Sequence, residues 1–572
     1  MRSFVVLSFS LFVTLGSVFA QNNGSIVKGI KLVEELQYNS AVRYFNQLPQ
    51  SVEKEFQLGK TYLYLSQKDS AQAHFAKAAQ LDPKSIYSPM ALGAIEVQNK
   101  NGEAASNQFN KARKQAKKNV EFLGEIAELC IIGAEKDFNL ALSFIDKGKE
   151  INTKSAALSI ALGDVELARG EYGNALSAYE WAVSYDNKNA TTYRKMGAIQ
   201  TLARDYRNGL ESFRKSIELD STQIIVFKNL SDLQFMYGKY AESLINYETF
   251  LRKATPNIED KERYALILFF NKKYAESAKE MDIVLTENPN TPVLYRIRGY
   301  SAYETGITEK VKEEALIKFQ KGVDAMKRFF EIQNPNKIIQ SDYAYYGKLN
   351  SKVKNDSLAI IYLKKAISAD SSKNDMFDEL AQVYSRSHMH SEAVKCYNQM
   401  MVNGLPRVSG LYSIGLEYLY LGGYMKTVGD SLTKKGTLTT QLEQSKAAFQ
   451  AADTTFSELN KLKPDYLRGY MLRAQALVYL DPESSIGLAK PVYEQVVALM
   501  ESDPVKNKKN LTESYRYLAA FNLLSYSRDY KADPKSAAIS RSNAISFYEK
   551  LLLLDPNDAL AKQGLIDLKA KK

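Results

Sequence analysis

Histidine, cysteine and tryptophan are scarce in this chain of 572 residues, which contains only 3, 2 and 1 of them respectively. Zinc sites and cysteine–histidine nucleophiles need histidine and cysteine, and a disulfide framework needs several cysteine pairs. The composition therefore argues against a zinc enzyme, a cysteine-based catalyst and a disulfide-stapled fold. We predict no catalytic residue, no metal site and no cofactor, and we expect that the protein is not an enzyme.

Long apolar runs are also lacking, except at the start of the chain. An apolar run from Phe4 to Leu15 follows Arg2. The segment Val18-Phe19-Ala20 comes shortly after this run, and Val18 and Ala20 fit the positions before a signal-peptidase cut. This pattern predicts a signal peptide over residues 1–20. No later stretch approaches the roughly 18 apolar residues of a membrane-spanning helix, so no transmembrane segment is expected after signal cleavage.

What the sequence does contain is a repeated spacing of small and aromatic residues. Gly59 is followed twelve residues later by Ala71, and four residues after that by Phe75. Small residues at two fixed points let the two helices of a hairpin approach closely, and the aromatic residue then fills the gap to the next hairpin. The same three positions recur in phase, at Gly93, Ala105 and Phe109, at Gly163, Ala175 and Tyr179, at Gly197, Gly209 and Phe213, and at Gly347, Ala359 and Leu363.

A helix–turn–helix unit of about 34 residues with these positions resembles the tetratricopeptide repeat. The resemblance implies an all-α fold, a right-handed superhelical solenoid of about fourteen hairpins. We expect a regular array over residues 21–400, irregular hairpins with insertions over 401–556, and a capping helix over 557–572. A glycine-containing insertion over 421–446 and the stretch 529–540 are interpreted as loops, most simply as tolerated surface loops.

Two other features were considered as sites of chemistry. His388 and His390 flank Met389 near the predicted turn of the eleventh hairpin, but no third histidine or cysteine lies nearby, so metal binding is not favoured. Cys130 and Cys396 are predicted seven hairpins apart, too far for a disulfide if hairpins stack at about 10 Å. Both cysteines are therefore expected to pack as small apolar side chains.

The resemblance also implies a binding surface. The first helix of each hairpin is expected to line a concave groove, where side chains three before, one after, and four or five after the first small residue face a ligand. Arginine and tyrosine at such positions are effective binding residues. The partner-binding candidates read off in this way are Lys60, Tyr64, Arg194, Lys228, Asp232, Arg296, Tyr300, Tyr412, Tyr420 and Arg516.

The function that these features favour is a protein-binding scaffold of the bacterial cell envelope. The signal peptide implies export, to the periplasm or to association with the outer membrane, and the overall resemblance indicates a Gram-negative source. The net charge of +11 is mild for this length, so no nucleic-acid partner is expected. The expected partners are proteins, including acidic segments, and the groove over hairpins six to nine is predicted to bind them. The competing hypothesis is that the ligand binds the irregular region after Gly404, where the glycine-containing insertion and Tyr412, Tyr418 and Tyr420 lie.

Two alternatives were weighed against the scaffold. A SusD-like glycan-binding protein of the outer membrane is similar in length and repeat type, but such proteins carry a lipid-anchored cysteine near the signal cleavage site, which this chain lacks. An enzyme with a catalytic insertion is disfavoured because the longest insertion contains no histidine, cysteine or tryptophan. Glycan binding is therefore the alternative hypothesis for the function.

Overall fold

The computed structural model describes residues 26–434 and 440–570, and over these residues the chain is helical without any β-strand. The predicted signal peptide lies outside the described residues. Within them, no helix combines the length and apolar character that crossing a bilayer requires. The helices divide between two compact units, Met1–Pro289 and Asn290–Lys572. The predicted subdivision at residues 400 and 556 stays a prediction.

The first unit consists of eight helical hairpins, each made of an odd-numbered first helix and an even-numbered second helix. The helices are α1 (26–34), α2 (Tyr38–Asn46), α3 (Val52–Tyr64), α4 (Lys68–Leu81), α5 (Tyr87–Gln98), α6 (Gly102–Ala116), α7 (Glu121–Leu129), α8 (Phe138–Ile151), α9 (Ala156–Arg169), α10 (Tyr172–Tyr185), α11 (Ala190–Leu202), α12 (Tyr206–Leu219), α13 (Ile225–Met236), α14 (Tyr240–Lys253), α15 (Ile258–Phe270) and α16 (Tyr274–Glu287).

The second unit consists of six further hairpins and a final helix. Its helices are α17 (Pro292–Ile307), α18 (Lys312–Ile332), α19 (Gln340–Lys352), α20 (Asp356–Ala369), α21 (Asn374–Arg386), α22 (His390–Val402), α23 (Arg407–Lys434), α24 (Gln441–Leu462), α25 (Leu467–Leu480), α26 (Lys490–Met500), α27 (Lys508–Asp529), α28 (Pro534–Leu554) and α29 (Ala559–Ala570). Over the part of the chain that the structure describes, the predictions of an all-α array and of about fourteen hairpins are confirmed.

Several regular hairpins are held by a glycine of the first helix against a large side chain of the second helix. A Cβ atom added to Gly59 would lie 2.5 Å from Cδ1 of Phe75, well inside van der Waals contact. Phe75 and Ala71 are both buried. The glycine is therefore required by close approach, and the predicted register is confirmed. The same contact joins Gly93 to Phe109, Gly163 to Tyr179, Gly197 to Phe213 and Gly347 to Leu363.

The ninth hairpin keeps this contact in a different pairing from the expected one. Gly299 meets Met326, and the predicted aromatic residue Phe319 packs instead against Gly306. Helices α17 and α18 are 16 and 21 residues long, against 13 and 14 for α3 and α4. The longer hairpin has two glycine contacts, seven residues apart on the first helix, whereas the second hairpin has one.

The predicted loop over residues 421–446 is wrong for the residues that the structure describes there, except for Thr440, which forms a bend. Residues up to Lys434 continue helix α23, and residues from Gln441 belong to α24, so the insertion lengthens both helices of the twelfth hairpin. Glycines seven residues apart, two helical turns, face successive large side chains of α24. The three contacts are those of Gly415 with Phe456, Gly422 with Phe449, and Gly429 with Leu442.

The stretch 529–540 is likewise mostly helical, contrary to the loop expected there. Helix α27 ends at Asp529 and α28 begins at Pro534, so only a short turn separates them. The Asp533 side chain accepts a hydrogen bond from the backbone N–H of Ser536, and proline at the first helical position suits a helix start. The capping helix is confirmed as α29, which buries Ala561 and Leu568 and exposes Leu560 and Ile566.

Within each unit the first helices form one layer and the second helices another. The closest contacts between next-but-one helices join first helices only, in the first unit α3 with α5, α7 with α9 and α11 with α13, and in the second unit α17 with α19, α19 with α21 and α23 with α25. A layer whose members approach one another more closely lies on the inside of a curved stack. The first helices therefore form the inner layer, as the resemblance implied.

Candidate functional site

The inner layer of the first unit is crossed by ion pairs between successive first helices. Lys228 of α13 lies 2.6 Å from Asp260 of α15, and Arg263 of α15 lies 2.8 Å from Asp232 of α13. The predicted binding residues Lys228 and Asp232 thus each have an opposite charge on the neighbouring hairpin. Their positions on the inner face agree with the prediction, but their charges are already compensated.

Lys60 and Tyr64 take part in a second cluster of the same unit. The Lys60 ammonium lies 3.2 Å from Glu125 and 2.7 Å from Glu128, and the Tyr64 hydroxyl donates a hydrogen bond to Glu128. Burial raises the pKa of Glu128, but the charge of Lys60 and these hydrogen bonds outweigh it and bring the pKa below its ordinary value. The ring of Tyr64 stacks on Tyr38 with centroids 5.0 Å apart.

Arg194 is buried, with 8% of its surface exposed, and two glutamates of the first hairpin, Glu34 and Glu35, act on it electrostatically. Glu35 accepts a 2.6 Å hydrogen bond from the backbone N–H of Ile225, at the start of α13. Burial raises the pKa of Glu35 against the opposing effects of that hydrogen bond and of Arg194. The first hairpin therefore reaches the seventh, and Arg194 is enclosed rather than presented to a partner.

In the second unit, Arg296 and Tyr300 converge on one buried carboxylate. Asp342 of α19 is fully buried, and its oxygens accept hydrogen bonds from Arg296 at 2.7 and 2.9 Å and from the Tyr300 hydroxyl at 2.7 Å. The Tyr300 ring also stacks on Tyr345 with centroids 3.9 Å apart. Burial, with the adjacent Asp342 charge, raises the pKa of Tyr300 far above its ordinary value. These contacts join hairpins nine and ten.

Arg516 is paired in the same manner, 2.6 Å from Asp558 beside the capping helix. Tyr412 is half-buried and makes an edge contact with Tyr466, with ring centroids 6.0 Å apart. The predicted basic positions therefore all lie against acidic groups of the chain itself. Their role in binding a partner stays a prediction, and Tyr420 opens onto a larger cavity than those that Lys60 and Lys228 line.

That cavity has a volume of about 650 Å³ and lies between the inner helices α23 and α25. Tyr420, Tyr424 and Tyr479 contribute aromatic surface and are 53%, 37% and 42% exposed. The turn of the eleventh hairpin closes one side, where the His388 ring stacks on Tyr424 with centroids 4.2 Å apart. The residues lining it are Ser385, His388, His390, Leu416, Leu419, Tyr420, Gly423, Tyr424, Thr427, Arg468, Leu472, Gln475 and Tyr479.

The polar groups that line the cavity differ in whether they have a hydrogen-bond or ion-pair partner. His390 is buried and its Nδ1 lies 2.8 Å from the buried carboxylate of Glu417. Arg468 and Gln475, both exposed, have no hydrogen-bond or ion-pair partner in the described part of the chain. The cavity therefore offers free donor groups beside aromatic and aliphatic walls, which is the usual composition of a binding pocket.

Sequence reasoning found Tyr420 but missed most of its neighbours. Tyr424 lies four residues further on, hence on the same helical face, and that spacing could have identified it. Gln475 immediately follows the small residue Ala474, and this is one of the positions expected to face the groove. Arg468 lies six residues before Ala474, outside the offsets considered, and the contribution of the His388 turn depends on how hairpins eleven and twelve pack.

The histidine pair does not form part of a metal cluster in the structure as described. His390 contacts Glu417 and His388 stacks on Tyr424. Across residues 26–434 and 440–570, no group of three or more histidine, cysteine or acidic side chains is arranged to hold a metal ion. Cys130 and Cys396 are both buried and free, which agrees with their expected role as packed side chains.

Comparison with known proteins gives a local family match. Residues 56–85, which span most of helices α3 and α4, match the tetratricopeptide repeat family. No curated protein matches the chain. Among solved structures, the C-terminal part of a tetratricopeptide repeat-containing protein from Cytophaga hutchinsonii is 25% identical, with 53% of this chain and 99% of that chain covered and a TM-score of 0.37. A tetratricopeptide repeat protein from Parabacteroides merdae is 17% identical, with 43% and 92% covered and a TM-score of 0.29.

Fourteen antiparallel hairpins with an inner and an outer layer define the chain as a helical-repeat protein. The matched repeat supplies the type. The contact that holds it together, a glycine of the first helix against a large side chain of the second, recurs at the spacing described above in hairpins of both units. The hairpins are therefore of the tetratricopeptide-repeat type, the type that residues 56–85 match and whose fold is typical of protein-interaction scaffolds.

Proposed function

We propose that this protein is a non-enzymatic scaffold of the bacterial cell envelope that binds partner proteins through its inner layer of helices. The observation that carries the proposal is the cavity between α23 and α25, where three exposed tyrosines and the free Arg468 lie on the inner face. Tyrosine and arginine contribute strongly to protein interfaces, because tyrosine offers large contact area with few side-chain torsions and the planar guanidinium of arginine donates several hydrogen bonds.

The ion pairs across the rest of the inner layer favour the cavity over the groove of hairpins six to nine as the main site. A ligand that took Lys228 or Arg296 would have to replace Asp260 or Asp342. Replacing a buried partner returns little net energy, because the displaced carboxylate must be satisfied elsewhere. The groove residues remain predicted contacts for acidic partner segments, secondary to the cavity.

The proposed location follows from the predicted signal peptide. Export would place the mature chain in the periplasm or at the outer membrane of a Gram-negative cell, where it could associate peripherally with the envelope. N-terminal sequencing of the protein from a periplasmic fraction is expected to begin at Gln21. Recovery in the membrane fraction with Met1 retained would contradict the proposed export and cleavage.

Binding is tested by affinity capture from envelope extracts with mass spectrometry, using the full chain and two variants. Tyr420→Ala with Tyr479→Ala removes aromatic surface from the cavity. Tyr172→Ala is the matched control, because Tyr172 is 50% exposed on the second helix α10. Partners should be lost with the cavity variant and kept with the control. Partners retained equally by both would show that the cavity is not the site, and a glycan array that binds the chain instead would favour the glycan-binding alternative.

A further inference from the structure

Arg468 differs from the other arginines of its surroundings in having no acidic partner. Five residues along the same helix, Arg473 lies 2.7 Å from Asp453, and elsewhere in the unit Arg386 lies 2.6 Å from Asp356. Arg468 is exposed, lines the cavity, and has neither hydrogen bond nor ion pair in the described part of the chain. The guanidinium of Arg468 is therefore left free at a concave part of the inner layer.

The cavity contains no carboxylate that could neutralise Arg468. None of its lining residues is acidic, and the buried carboxylate of Glu417 lies 2.8 Å from Nδ1 of His390. The free amide of Gln475 lies on the same helix and adds a donor. A guanidinium can donate two parallel hydrogen bonds to one carboxylate, so charge and geometry together favour an anionic group at this wall of the cavity.

The remaining walls favour an apolar group beside the anion. Leu416, Leu419 and Leu472 form the apolar part of the lining, and Tyr420 and Tyr479 present exposed ring surface above them. Tyr479 is held in place by stacking on the buried ring of Phe449, with centroids 4.6 Å apart. A rigid aromatic wall loses little conformational entropy when an aromatic or aliphatic side chain packs against it.

We propose that this cavity binds a partner segment in which a carboxylate is adjacent to an aromatic or large aliphatic side chain. The carboxylate pairs with Arg468, and the apolar side chain packs against Tyr420, Tyr479 and the leucines. The proposal rests on the proposed function, that the inner layer binds protein segments. The carboxylate can come from an aspartate or glutamate side chain or from the free end of a chain.

The test selects ligands without assuming a partner. Two phage-displayed libraries of random peptides, one with an internal variable segment and one with a free carboxyl terminus, are selected on the immobilised full chain. Selected peptides are synthesised with a fluorophore, and their affinity is measured by fluorescence polarisation. The expected result is enrichment of an acidic residue or terminal carboxylate next to an aromatic or large aliphatic residue. The library that yields the motif identifies the source of the carboxylate.

Matched variants then locate the binding. Arg468→Gln should weaken the selected peptides about tenfold or more, whereas Arg473→Gln, which removes a paired arginine of the same helix, should leave affinity nearly unchanged. Tyr420→Ala should also weaken binding. Circular dichroism melting should be the same for Arg468→Gln and the parent, since Arg468 has no partner to lose in the described structure. This control separates a binding defect from a folding defect.

The outcomes distinguish the two proposals. Selected peptides that lack acidic groups, or that bind Arg468→Gln as well as the parent, would overturn the inference about the cavity while leaving protein binding intact. Recovery of no peptide from either library, together with binding of a neutral oligosaccharide such as maltoheptaose, would count against both proposals and support the glycan-binding alternative.

Discussion

Gly422 offers the sharpest test of the packing, because its neighbour in the chain provides an internal control. A Cβ atom on residue 422 would lie 2.6 Å from Cε1 of Phe449, whereas nothing lies within 4 Å of a Cβ on Gly423. Carbon atoms in contact prefer about 3.5–4.0 Å, so Gly422→Ala requires the Phe449 ring to retreat by roughly 1 Å. That ring is 1% exposed and stacked on Tyr479, so it has little space into which to move.

The magnitude follows from two opposing effects. Replacing glycine by alanine within a helix stabilises it by about 0.8–1.0 kcal/mol, and Gly423→Ala should gain this amount in full. Gly422→Ala gains the same helix propensity but also overpacks the contact, at a cost of about 1–3 kcal/mol. The propensity effect cancels between the two variants. The difference between them should therefore be about 1–3 kcal/mol, a ratio of about 5 to 150 in the local opening equilibrium.

Hydrogen exchange is the suitable assay, because a repeat array of this size does not unfold in one step. Peptides from α23 and α24 should exchange faster in Gly422→Ala than in Gly423→Ala. In a double-mutant cycle, Phe449→Leu should reduce the penalty of Gly422→Ala by making room for the added methyl group. Equal exchange in the two alanine variants would refute the close contact between Gly422 and Phe449. It would also refute the packing of the twelfth hairpin through glycines seven residues apart.

Three further predictions concern stability and reactivity. Asp342→Ala should destabilise the second unit by about 3–5 kcal/mol, because it leaves the Arg296 guanidinium without its buried acid; an unchanged urea midpoint would contradict this. Burial raises the pKa of Glu55, but hydrogen bonds and charge from the adjacent histidine and lysine bring that pKa below the ordinary value of 4.5. The stability that ionised Glu55 contributes is therefore present above the ordinary pKa and is lost as the pH falls through the lowered pKa. Glu55→Gln should reduce the acid sensitivity of the second hairpin, measured by hydrogen exchange at pH 3–6. Burial raises the pKa of the Cys396 thiol to about 12 and that of Cys130 further, so both should resist a thiol reagent in the native protein and react on unfolding, with no disulfide on a non-reducing gel.

The hairpin register could be predicted because it depends on residues close together in the sequence. Gly59 and Phe75 are joined by one short turn, so their contact follows from helix geometry and a fixed spacing. The prediction was wrong at Gly422 and Gly429, because these glycines were interpreted as loop residues although they lie within a helix. Their seven-residue spacing from Gly415 is the signal of a continuous helical face, and it distinguishes a packed hairpin from a flexible insertion.

The inner-layer contacts could be predicted only in part. The offsets placed Lys228 and Arg296 on the correct face, but their partners lie 32 and 46 residues further along the chain. Whether two such side chains meet depends on the angle and offset between consecutive hairpins, which hydrophobic spacing does not encode. For the same reason Tyr420 was identified as a candidate, while the free guanidinium of Arg468 across the cavity was not.

The hydrogen bond from Ile225 to Glu35 joins residues 190 positions apart within the first unit. In an array where hairpins touch only their neighbours, stability is a sum of local terms and the ends can fray independently. This bond, with the nearby pair of Lys31 and Asp220, couples the first hairpin to the seventh, so that loss of either affects both. It also fixes the number of repeats between them, because one hairpin added or removed would carry the two ends out of reach. Evolution by repeat duplication, the usual way in which such arrays lengthen, is thereby constrained within this segment of the chain.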